Sequence, residues 1–71
     1  MNRQAAEDIC RMGEEILRKL QALGNYVLEN CEPQQIEHIV PALARCASEL
    51  DVEILEPIHR RNSDLKPSFL P

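Results

Sequence analysis

The sequence predicts an all-α chain: an antiparallel two-helix hairpin with its second helix bent at Pro41, completed as a four-helix bundle by dimerisation. Three observations carry this reading. Residues 3–29 contain no proline and are rich in strong helix formers. Apolar residues recur at helical spacing on both sides of a short break at "ENCEPQQ". Each apolar arc is also wider than one helical neighbour can cover.

The first helix is expected over about residues 3–29. At 100° per residue, Ala6, Ile9, Cys10, Gly13, Ile16, Leu17, Leu20, Leu23, Gly24, Val27, Leu28 and Cys31 share one arc of roughly 140°. Glu7, Arg11, Glu14, Glu15, Arg18, Asn25 and Glu29 fill the opposite side. The i,i+4 pairs Glu7–Arg11, Glu14–Arg18 and Glu15–Lys19 run in the favourable order, each worth about 0.2–0.5 kcal/mol, and describe a solvated face. An arc this broad suits a helix that touches two neighbours at once, as in a bundle.

At the break, Asn30 suits a left-handed helix cap and Pro33 the first turn of a new helix, and so short a turn sends the next helix back along the first. The second helix is expected over about residues 33–60. Counted from Ile36, the residues Ile39, Val40, Leu43, Ala44, Ala47, Leu50, Ile54, Leu55 and Ile58 keep one phase across Pro41. Two separate helices meeting at Pro41 would have no reason to stay in phase, although an interior proline costs about 3 kcal/mol and keeps that alternative open. Pro41 falls on the polar side, where the carbonyl of Glu37 can turn to water. Asp51 at the edge of the arc and Val52 on the polar side break the pattern.

Residues 62–71 form a separate C-terminal tail. The stretch "NSDLKPSFLP" is expected to be extended, with Leu65, Phe69 and Leu70 available to fold back near Ile9 and Ile58 or to dock elsewhere. Within the 1–61 hairpin, equal distances from the turn set Gly13 against Leu50, Ile16 against Ala47, and Gly24 against Ile39 or Val40, small residues facing large ones.

Composition narrows the function. A chain of 71 residues is one domain at most, and its core offsets the entropy of folding only narrowly. The three cysteines, Cys10, Cys31 and Cys46, fit no disulfide or zinc spacing and read as structural thiols on or beside the buried arc. No metal or other cofactor is expected. A net charge of -4 with no basic cluster beyond "HRR" argues against nucleic acid, and no apolar run reaches the ~18 residues of a membrane span. The mixed charge of the first helix's polar face disfavours a membrane-surface role. His38 and His59 fall on the polar side with no nucleophile arranged beside them, so catalysis is not expected.

The expected function is therefore a non-catalytic, intracellular (cytoplasmic or nuclear) interaction module, a scaffold or adaptor subunit that acts as a homodimer or in a hetero-bundle with another helical protein. Its interface and core residues are Ile9, Gly13, Ile16, Leu20, Leu23, Val27, Ile39, Leu43, Ala47, Leu50, Ile54 and Ile58. The alternative is a self-contained helical receptor domain that binds a short amphipathic peptide in a groove between its helices.

Overall fold

The structure, a computed structural model, describes residues 1–65. Helix α1 runs Arg3–Asn30 and α2 runs Pro33–Glu49; a π-helical segment Leu50–Leu55 and helix α3, Glu56–Arg61, then continue the second arm, and a 3-10 turn, Ser63–Leu65, closes the described chain. Every described residue in a regular element is helical, and the two arms form a hairpin, the second carrying a kink. The Phe69 and Leu70 of the expected tail contact lie outside the described residues.

Local chemistry explains each boundary. The Asn2 side chain accepts the Ala5 N–H at 2.7 Å and caps α1. The helix ends without the left-handed cap expected at Asn30, since no described non-glycine residue has positive φ. Instead Cys31 turns extended and its N–H reaches Val27 O at 3.0 Å, while the Asn30 amide donates to Tyr26 O at 2.9 Å. Pro33 opens α2, and Gln35 Oε1 accepts the Glu32 N–H at 3.0 Å. Asn62 ends α3 as Asn30 ends α1, donating to Ile58 O at 3.1 Å, with Arg60 and Arg61 complementing the dipole of the last turn.

Pro41 lies inside α2 and is exposed, so the proline does not divide the arm into two helices. The larger departure from α-geometry comes one segment later. The Glu56 N–H bonds to Asp51 O, five residues back, while Glu49, Leu50, Leu55 and Glu56 all keep right-handed helical dihedrals. Pro57 supplies a physical reason: in a regular helix its ring would press on the carbonyl of Glu53, and a widened turn just upstream relieves that contact.

The π turn resets the phase of every residue after it. An i,i+5 return brings Leu55 to the side of Leu50, and Leu55 is the most enclosed apolar residue at 1% exposure, whereas Ile54 is 46% exposed. The expected pairing of Gly13 with Leu50 is corrected accordingly, because Gly13 packs against Leu55. A Cβ placed on Gly13 would lie 2.5 Å from Leu55 Cδ2 and 3.2 Å from both Cγ and Cδ1. Gly24 has more room. Its nearest neighbour would be Leu43 Cδ1, at 3.9 Å, in place of the expected Ile39 or Val40. Ile16, expected against Ala47, keeps 49% of its surface exposed.

The two glycines should therefore answer differently to substitution. Gly24→Ala is expected to stabilise the chain by about 0.5–1 kcal/mol, the helix-propensity gain, since its methyl group enters ordinary contact. Gly13→Ala should give up that gain, because its methyl group must displace the enclosed Leu55 side chain. Thermal melts of the two variants decide the matter: equal gains would mean that Leu55 is not held over Gly13.

Candidate functional site

The described core is small. Ala6, Cys10 and Ile58 make one buried cluster at the open end of the hairpin, with Ile9 and Leu65 packed against it. Val27 and Leu55 complete the buried apolar residues. Leu65, one of the three apolar tail residues expected near Ile9 and Ile58, packs there from the 3-10 turn. The turn is held there by Arg3, whose Nη1 donates to Asp64 Oδ1 at 3.0 Å and whose Nη2 donates to Oδ2. Arg3 Nε also meets Glu7 Oε1 at 3.1 Å.

The Arg3 guanidinium, chiefly by these hydrogen bonds, holds the Asp64 carboxyl below the usual carboxylate range. A carboxyl whose folded pKa is depressed adds stability above its unfolded pKa, and that stability is lost as pH falls through the folded value. Asp64→Asn should therefore lower the melting temperature slightly at neutral pH, and the difference from wild type should close in acid below the ordinary aspartate range. Both side chains are largely exposed, so the effect is small and salt-sensitive. A difference that does not change with pH would remove the ion pair from the account.

Elsewhere the charges pair differently from the expected i,i+4 pattern. Arg11 bonds Asp8 at 2.9 Å and Glu7 bonds Arg3, while Glu14, Arg18, Glu15 and Lys19 form no ion pair among the described residues. Cys10 is buried, and burial pushes its thiol pKa up, with the Glu14 charge adding to the shift. Of the three thiols expected on or beside the buried arc, Cys31 is partly buried and Cys46 exposed. His38 is exposed; His59, expected on the polar side, is partly buried, and its Nε2 is enclosed with no hydrogen-bond partner among the described residues. Among the described residues no group of His, Cys, Asp and Glu side chains could hold a metal ion. No described helix is long and apolar enough to cross a membrane.

The apolar residues of α1 resolve into two stripes. Ala6, Cys10, Gly13, Leu17, Leu20, Gly24, Val27 and Cys31 recur at alternating four- and three-residue steps, the spacing of a coiled-coil seam. All eight are buried or partly buried, because this stripe faces the second arm. One residue earlier runs a second series at the same spacing: Ala5, Ile9, Met12, Ile16, Lys19, Leu23, Tyr26 and Asn30. Ala5 and Ile9 are partly buried, but from Met12 onward this stripe is exposed, with Met12, Ile16 and Leu23 at 47–49% and Tyr26 at 63%. The two stripes lie about 100° apart around the helix. That is close to the right angle at which a helix in a square bundle meets its two neighbours.

The second arm is equally unfinished. Ile39, Leu43, Ala47 and Leu50 are only partly buried, and α2 contains no buried residue over its whole length. Of the expected interface and core residues, Gly13, Val27 and Ile58 are buried, Ile9 and Leu20 partly so, and Ile16, Leu23 and Ile54 are exposed. Two features escaped the sequence reading. Leu55 was counted on the arc yet left out of the core, and Met12, Lys19 and Tyr26 belong to a second stripe that a heptad count offset by one residue would have exposed. Comparison of the chain with family models, curated proteins and solved structures yields no significant match.

Proposed function

We propose that this chain is a non-catalytic association module, a scaffold or adaptor subunit whose apolar helix faces are covered by another helical chain, first of all a second copy of itself. The single observation that carries this reading is the exposed stripe of α1 through Met12, Ile16 and Leu23, which repeats the spacing of the stripe the second arm already covers. The absence of any buried residue in α2 supports it from the other arm. A helix with apolar residues at helical period derives most of its stability from burying them, and in the isolated hairpin α2 buries none fully.

A two-fold partner that offers the same faces turns two half-covered arms into a four-helix bundle, and isologous pairing is the commonest symmetric solution for small subunits. A hetero-bundle with another helical protein comes next. The chain's free cysteines suit a reducing compartment, which favours an intracellular place of action.

Sedimentation of the wild-type chain at about 100 µM tests the proposal, since association stabilises by mass action and must be visible at concentrations above its Kd. A two-chain mass is expected. A well-folded monomer would overturn the reading in favour of a domain that receives a peptide between its helices.

A further inference from the structure

From the exposed stripe of α1 we infer that the second copy docks on this stripe in antiparallel orientation, with the two-fold axis between Ile16 and Lys19. This inference rests on the self-association proposed above and adds to it the seam, the register and the direction. In an antiparallel seam each stripe residue meets one from the opposite half of the partner helix. A two-fold between Ile16 and Lys19 sets Ile9 against Tyr26, Met12 against Leu23 and Ile16 against Lys19, each layer occurring twice by symmetry. The alternating three- and four-residue steps of the stripe align all these pairs at once, and of the two-folds this spacing permits, the one between Ile16 and Lys19 sets Lys19 beside Glu15.

Lys19 selects the direction. It is the only charged residue in the stripe and forms no ion pair among the described residues. In a parallel, in-register seam each Lys19 would abut its own symmetry mate, two like charges inside an apolar contact. In the antiparallel seam the Lys19 stem lies over Ile16 of the other copy, and its ammonium reaches Glu15, on the same flank and likewise without an ion pair among the described residues. The two-fold forms this pair twice. A charged residue in an otherwise apolar seam is a known means of fixing register and orientation. The stripe and its flank are thus complementary to themselves in charge, which favours a second copy over an unrelated partner. Because the stripe lies about 100° from the one facing the second arm, the second arms of both copies fall side by side on one flank of the seam and close the square.

Charge exchange tests this on the full chain by sedimentation equilibrium. Glu15→Lys brings two ammonium groups together across the seam, the introduced one and that of Lys19, and Lys19→Glu brings the introduced carboxylate against that of Glu15. Each single variant should weaken the dimer about tenfold or more, the sum of two lost attractions and two new repulsions at a partly solvated flank. An equimolar mixture of the two should return to within about threefold of wild type, and so should the double exchange in one chain. A parallel seam already opposes Lys19 to Lys19, so an unchanged affinity for Lys19→Glu would overturn the orientation. Single variants that both dimerise like wild type would overturn the seam and leave the association reading standing, whereas a monomeric wild type would overturn both. Circular dichroism at a concentration where wild type is dimeric checks that the mixture regains helix along with mass.

Discussion

Leu55→Ala is expected to cost about 2–5 kcal/mol, the range for truncating an enclosed leucine where the surroundings cannot collapse. Leu55 is 1% exposed and sits over Gly13, whose missing side chain is what admits it. Truncation there would leave a void that Gly13 cannot fill. For a chain of 71 residues the whole stability is roughly 4–10 kcal/mol at 0.05–0.15 kcal/mol per residue, so this substitution alone can unfold it. Ile54→Ala is the neighbouring control. Ile54 is 46% exposed and should lose far less, although a regular helix would place it further inside than Leu55. Equal losses at 54 and 55, or a loss below about 1 kcal/mol at 55, would show that the π turn does not set the phase of the arm.

The contrast between those two residues marks where the sequence was legible and where it was not. Helix α1 and the turn at Pro33 could be read directly, because amphipathic spacing and cap chemistry act over a few residues and need no tertiary information. The expected boundaries, residues 3–29 and 33–60, compare with Arg3–Asn30 and with the continuous second arm that ends at Arg61. The reading failed where it assumed 100° per residue throughout. Pro41 leaves the helix continuous, whereas Pro57 lies two residues beyond a turn that carries an extra residue. The trace was present in "ELDVEILEP": Asp51 and Val52 fall off the pattern just where the phase changes, and a proline follows.

The candidate site was partly legible for a related reason. The width of the first arc implied two neighbours, but an arc summed over the whole helix does not say which residues meet which neighbour. Burial by the second arm divides it, taking Cys10, Gly13 and Val27 to one side and leaving Met12, Ile16 and Leu23 on the other. In the sequence Lys19 pairs with Glu15, four residues before it, as part of a solvated face. Its place in a coiled-coil spacing becomes informative only once the neighbouring residues of the stripe are seen to be exposed.

Ile16→Glu separates a monomer from an assembly more cleanly than any substitution in the hairpin contact. In an isolated hairpin Ile16 is 49% exposed, and a surface substitution of this kind changes stability by only about 0.5 kcal/mol. At the centre of a seam between two copies, the same carboxylate replaces an apolar layer twice by symmetry, and Lys19 of the other copy, already drawn to Glu15, offsets only part of the several kcal/mol that each buried charge costs. The expected result is therefore dissociation with loss of most helix content at micromolar concentration, because folding and assembly are coupled. Leu50→Glu would be ambiguous, since Leu50 is partly buried within the hairpin and its loss would harm a monomer as well. Val52→Glu is the proper control: Val52 is 47% exposed, comparable to Ile16, but lies in the π segment away from the stripe, and it should leave both mass and melting temperature nearly unchanged. Sedimentation with parallel thermal melts reads all three variants. If Ile16→Glu matches Val52→Glu in mass and stability, the stripe faces water in the working protein and the association reading falls with it.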